Sequence, residues 1–157
     1  MRSRNTKTSG EQIITNNFKK TLIMNQQMTI EKMKSMRLQG MAQIHYSNHQ
    51  DNLYQDYNMD QYIALLVDQE WEYRQNRKML SLLKTAAFRS PADINSIDFT
   101  ANRGLDKNAF ERLASLDFLT KNENIIITGS TGTGKSYIAQ ALGRQACLYL
   151  NKTKYFT

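Results

Sequence analysis

The residues best suited to chemistry stand together at Gly129-Ser130-Thr131-Gly132-Thr133-Gly134-Lys135-Ser136. They fit the spacing G-x-x-x-x-G-K-[ST] of the phosphate-binding loop known as Walker A. Gly129, Gly132 and Gly134 can take positive φ, so the backbone can close around an anion with its N–H groups turned inward. A helix starting near Lys135 adds the positive end of its dipole and its unpaired donors. Lys135 brings a mobile cation to the β- and γ-phosphates, and Ser136 offers a hydroxyl to Mg²⁺, a hard ion that prefers oxygen ligands. Tyr137 follows, near the α-phosphate or the base. The pattern predicts that Gly129, Ser130, Thr131, Gly132, Thr133, Gly134, Lys135, Ser136 and Tyr137 contact ATP, with Ser136 on the metal. The plain alternative is a Gly/Thr-rich turn that opens a helix.

The loop needs a strand before it and a helix after it. Asn124-Ile125-Ile126-Ile127-Thr128 is a β-branched run and is predicted as the strand. Tyr137 to Ala146 reads as the helix, ending near Leu150, and Thr153 to Thr157 as a second strand. Asn124 to Thr157 is thus about one βαβ unit.

The elements upstream read as helices. The first is predicted over Thr29 to Asn48, with Thr29 as cap and Ile30, Met33, Arg37, Met41 and Ile44 near helical spacing. Asp51 to Asn58, with Tyr54 and Tyr57, reads as a connection. A long helix runs from Asp60 to about Ala87 with Tyr62, Leu66, Tyr73, Leu80 and Leu83 on its stripe. Glu70 and Arg74 form a favourable pair on it, and Trp71 is expected to pack in the core rather than stack on a base. Pro91, the only proline, ends this helix and starts an exposed linker from Phe88 to Ala101. A further helix covers Leu105 to Leu119, with Asp106 at its start and Leu105, Ala109, Leu113 and Leu116 on one stripe. His45 and His49, four apart, have the spacing to share a metal, but a solvated pair is the better reading. Cys147 reads as buried and inert, and Arg144 as a surface cation.

Composition narrows the class. The chain has 157 residues and a net charge of +7. Met1 to Gln50 holds eight basic residues, including Arg2, Arg4, Lys7, Lys19 and Lys20, against two acidic ones. Such an arm suits a polyanion, most simply nucleic acid, and equally suits a solvated tail. No apolar run is long enough to span a bilayer, Met1 to Gly10 has no apolar signal core, and one cysteine excludes an internal disulfide framework. These features point to the cytoplasm, with no membrane partner. Three parts are predicted: a disordered basic arm (1–20), a helical module (21–90) and the start of a phosphate-loop ATPase domain (91–157).

Leu38-Gln39-Gly40-Met41, the Glu70…Arg74 helix, Arg103-Gly104-Leu105-Asp106-Lys107, and above all Glu123 to Gly129 and Ala141 to Cys147 resemble IstB-like ATPases. These are AAA+ helper proteins of insertion-sequence transposition, related to helicase loaders of the DnaC type. The resemblance runs from about Thr29 to Thr157. It implies an α/β fold, a P-loop NTPase core of AAA+ type truncated after one βαβ unit, preceded by an all-α module. It also implies ATP and Mg²⁺ as cofactors, assembly of a homo-oligomer on double-stranded DNA, and stimulation of a transposase. Ser130 stands where the family usually has proline. The acidic Walker B strand, sensor residues and arginine finger of the family would lie beyond Thr157, so the chain reads as a truncated frame or a fragment and no catalytic residue is assigned. Two other readings stay open: a non-enzymatic DNA or protein adaptor with a vestigial loop, and a small P-loop kinase, against which the helical preface and basic arm argue. Two parallel strands with one crossover helix have too few neighbours, so the helical part is expected to fold better than the βαβ part.

Overall fold

The computed structural model describes residues 24–51, 56–100 and 104–156. The basic arm, Tyr54, Arg103 and Thr157 lie outside them. By contact density the chain divides into Met1–Arg74 and Gln75–Thr157, and each unit is built on its own logic.

In the first unit the predicted single helix is two. Residues 24–35 form α1 and Gln39–Gln50 form α2. Arg37 takes a left-handed φ of 62°. The Arg37 N–H then bonds the Lys34 carbonyl at 3.0 Å and the Leu38 N–H the Met33 carbonyl at 2.8 Å. This is a Schellman closure with arginine where glycine is usual, which is why residue type did not betray the break. Thr29 does not cap; its hydroxyl donates to the Asn25 carbonyl inside α1. Ile30 is buried as expected, whereas Arg37 is exposed.

A long helix, α3, spans Met59–Ala86, close to the predicted bounds, with Asp60 in its first turn. The reason α2 can begin beside it is Gly40. A Cβ there would lie 2.5 Å from the Gln69 carbonyl oxygen and 2.8 Å from the Glu70 Cα, so only glycine permits this approach. The approach puts Glu70, 5% exposed, at the start of α2. Its Oε2 accepts from the Gly40 N–H at 2.8 Å and the Met41 N–H at 3.3 Å, and its Oε1 from Arg74 Nε at 2.7 Å. A carboxylate at a helix N-terminus satisfies two orphan donors and meets the dipole with favourable sign. Trp71, by contrast, is 64% exposed. The expectation that it packs in the core fails because α3 turns Glu70, the adjacent position, toward α2.

In the second unit α3 ends at Ala86, with Ala87 left-handed at φ 56°. The linker is not simply exposed: Ala92 is buried and a 3₁₀ turn, Ile94–Ser96, is capped by Asp93, which accepts from the Asn95 N–H. The helix predicted to reach Leu119 is divided into α4, Lys107–Ala114, and α5, Asp117–Thr120. Asp106 caps α4 through the Asn108 N–H at 2.9 Å. Leu116 breaks it at φ 65° and is buried as its place on the predicted stripe requires, with Leu105, Ala109 and Leu113 half-buried; Phe110, outside that stripe, is buried too. Helix α6 spans Lys135–Leu148. Leu150 (φ 64°) and the Asn151 N–H to Ala146 carbonyl bond close it in the same manner as Arg37 closes α1. Cys147 is fully buried.

No strand forms among the described residues, so the predicted βαβ unit is not seen. The run 124–128 keeps the alternation of a strand: Ile125 and Ile127 are half-buried while Ile126 is 86% exposed. An extended segment becomes a strand only when its N–H and C=O groups pair with a neighbour, and neither 124–128 nor 153–156 joins a ladder.

Candidate functional site

The loop before α6 bends at the expected glycines. Gly129, Gly132 and Gly134 take φ of 148°, 82° and 90°, and Gly134 is the N-cap of α6. The Ile138 N–H bonds the Gly134 carbonyl at 3.0 Å, which leaves the donors of Lys135, Ser136 and Tyr137 without intrahelical acceptors. Thr133 Oγ1 donates to the Ser130 carbonyl at 2.9 Å and pins the bend. Lys135 Nζ donates to the carbonyls of Gly129 at 2.8 Å and Ser130 at 2.6 Å, so the loop is curled around its own ammonium group.

A cleft of about 620 Å³ lies against this loop, within the usual range for a small-molecule site. On the loop side Gly129, Ser130, Thr133, Gly134, Lys135 and Tyr137 line it; Thr131 and Gly132 in the turn and Ser136 in the first turn of α6 are exposed outside the lining. Facing them are Ser96, Ile97, Asp98, Gly104 and Leu105, with Ile127 and Ile138 adding apolar surface. One cleft thus combines a cation, helix-end donors and an apolar wall. The sequence pattern did not point to 96–98, which carry no motif; Gly104 and Leu105 fall in the quoted run 103–107, but nothing in it marked them as a wall of this cleft.

Tyr137 has a second task. Its hydroxyl accepts from the Asp93 N–H at 3.3 Å. Arg144, read as a bare surface cation, lies 3.9 Å from the Asp93 carboxylate. Gln140 is 5% exposed, and sequence reasoning passed over it. A polar residue inside Ala139-Gln140-Ala141-Leu142 was the available signal, since buried amides need partners.

His45 and His49 sit in the first unit with ring centroids 4.5 Å apart and edge to face. His45 Nδ1 bonds the Tyr62 hydroxyl at 2.8 Å, and Gln26 Nε2 bonds His49 Nδ1 at 3.0 Å. They are therefore half-buried members of the helix packing, not a solvated pair. Burial, and for His45 also the neighbouring His49, lowers both below the ordinary value of 6.5. No group of three or more metal-ligating side chains occurs among the described residues, and no helix there is long and apolar enough to cross a membrane.

A family model described as IstB-like ATP binding protein matches residues 31–157. A protein of Sinorhizobium fredii named as an insertion-sequence ATP-binding protein is 33% identical over 119 residues, 76% of this chain and 49% of that protein. One named for insertion sequence IS1162 of Pseudomonas fluorescens is 32% identical over 122 residues, 77% of this chain and 53% of its own length. One named for IS21 of Pseudomonas aeruginosa is 34% identical over 107 residues, 65% and 40% respectively. The chain spans about half the length of the relatives it matches.

Proposed function

We propose that this chain, which belongs to the IstB-like ATP-binding family, grips the triphosphate of ATP between Ile127 and Tyr137. The observation that carries this reading is the loop itself: it bends at three positive-φ glycines, and two of these, Gly129 and Gly134, line one cleft together with Lys135 at the N-terminus of α6. The N–H groups of Ser130 to Ser136 suit an anion, and the β- and γ-phosphates would draw Lys135 Nζ away from the Gly129 and Ser130 carbonyls. The Ser136 hydroxyl would take Mg²⁺, which when bound neutralises phosphate charge. The base would lie against Ile97 and Leu105, whose apolar surface no phosphate could use.

For the complete protein we propose an ATP-dependent helper of transposition in the cytoplasm that assembles as a homo-oligomer on double-stranded DNA and stimulates a transposase. Its parts are a basic arm (1–20), a helical module (21–90) and the opening of an AAA+ ATPase domain (91–157) with a βαβ unit completed by further strands. The names of the relatives and the charge of +7 support the reading, as do Lys32, Lys34 and Arg37, all exposed. The test is Lys135→Ala with calorimetric ATP titration and DNA binding over a salt series. Loss of ATP binding together with nucleotide-dependent, salt-sensitive DNA assembly is expected. Unchanged DNA assembly with Lys135→Ala would mean an adaptor whose loop is vestigial.

A further inference from the structure

We infer that Gln140 is a positioning residue for the nucleotide cleft, acting through the segment 89–98 without touching the ligand. This rests on the reading of the loop as a triphosphate site. Gln140 does not line the cleft, yet its buried amide is used at both ends. Nε2 donates to the Ser136 carbonyl at 3.1 Å, while Oε1 accepts from the Arg89 N–H at 2.7 Å and the Ser90 N–H at 3.0 Å. The first bond fixes which way the amide faces. With nitrogen toward the helix backbone, the oxygen must face the linker, where two successive donors meet it. An apolar residue here would fill the space and leave both N–H groups without their acceptor, which is costly in a buried setting.

The neighbours of Gln140 on the same stripe of α6 extend the grip. Tyr137, three residues before, accepts from the Asp93 N–H, and Arg144, four residues after, faces the Asp93 carboxylate. Residues at these spacings share one helix face. Residues 89–93 are therefore strapped along α6 by hydrogen bonds to Gln140 and Tyr137, with Arg144 adding a longer ion pair. Asp93 then caps the turn Ile94–Ser96, which delivers Ser96, Ile97 and Asp98 to the cleft. The phosphate loop needs none of this: its bends come from its own glycines and from Thr133 and Lys135. The strap thus governs the apolar wall and leaves the anion seat alone, and the two can be separated by ligand choice.

The experiment titrates the full chain with Mg²⁺-ATP and, separately, with Mg²⁺-tripolyphosphate, which has the anion and no base. Gln140→Met keeps length and volume but offers no amide. Losing two hydrogen bonds to the strap is expected to weaken ATP binding about fivefold or more while tripolyphosphate binding stays within about twofold. Amide exchange at Arg89 and Ser90 should speed up in the same variant. Gln140→Glu, which keeps an acceptor for both N–H groups, should restore slow amide exchange at Arg89 and Ser90. Arg144→Met, which removes only the longer ion pair to Asp93, should shift the ATP-to-tripolyphosphate ratio in the same direction by less. Equal weakening of both ligands by Gln140→Met, or undiminished ATP binding, overturns the inference. An unaltered chain that binds neither ligand overturns the triphosphate reading itself and this inference with it, whereas normal binding of both by Gln140→Met overturns the inference alone.

Discussion

Glu70 and Gln140 do the same job in the two units with different chemistry. Each is a side chain on a helix, 5% exposed, whose oxygen captures the N–H groups of two successive residues elsewhere in the chain: Gly40 and Met41 for Glu70, Arg89 and Ser90 for Gln140. Each is oriented by a second bond, from Arg74 to Glu70 and from Gln140 to the Ser136 carbonyl. The difference is charge. A carboxylate binds its donors more strongly and suits a helix N-terminus, where the dipole favours it. It also titrates. An amide is weaker, indifferent to pH, and adds no fixed charge beside the loop before α6.

The largest expected effect follows from that charge. Glu70→Leu leaves two helix-end donors and Arg74 without their acceptor and should destabilise the chain by about 2–3 kcal/mol. Gln140→Leu loses only neutral hydrogen bonds and should cost about 1–2 kcal/mol. Urea denaturation with matched m-values measures both, and equal losses would erase the distinction between the two acceptors.

The two close approaches by glycine give the next contrast. In Gly40→Ala the new methyl meets backbone, the Gln69 carbonyl oxygen at 2.5 Å, so α2 must move; about 2 kcal/mol is expected. In Gly143→Ala it meets the Phe88 ring edge at 2.9 Å, a side chain able to turn. There the helix-propensity gain of about 1 kcal/mol offsets much of the strain, and the net change should be small. Thermal melts of the two variants sharpen the contrast, and a Gly143→Ala loss as large as that of Gly40→Ala would contradict it.

The smallest effect is the pH dependence, and it belongs to the first unit. Burial alone would raise the Glu70 carboxyl, but the bonds from Arg74, Met41 and Gly40 outweigh it and hold the group below its ordinary 4.5. A depressed carboxyl contributes stability that is complete above its unfolded value and is lost as pH falls through its folded one. His45 and His49, also depressed, lose theirs earlier, as pH falls below 6.5. Acid titration followed by amide exchange should therefore loosen Gly40 and Met41 before Arg89 and Ser90, and the reverse order would count against the comparison.

How much of this was readable in advance depended on range. The loop glycines, the starts of α3 and α6, the Asp106 cap and the Glu70–Arg74 pair are set within a few residues, and they stand where the pattern put them. The break at Arg37 was hidden because an arginine took the left-handed position that glycine normally marks. Leu116 hid one more end in the same way, whereas the end of α6 near Leu150 stands where the pattern put it. Trp71 misled because hydrophobicity says what a residue tolerates, and only the approach of another helix says which side is covered. Of the cleft, the glycine loop was legible from spacing, and the facing residues 96–98 were not.

The amino-acid order alone determined the curl of Gly129 to Lys135 and the helix behind it, because positive-φ glycines and helix-end donors act through bonds of a few residues' reach. Tertiary structure decided which buried oxygen serves which distant N–H, which face of α3 meets solvent and whether 124–128 becomes a strand. Each of these is a pairing between segments far apart in the chain, and a hydrogen-bonding group is satisfied only by the partner that folding brings to it.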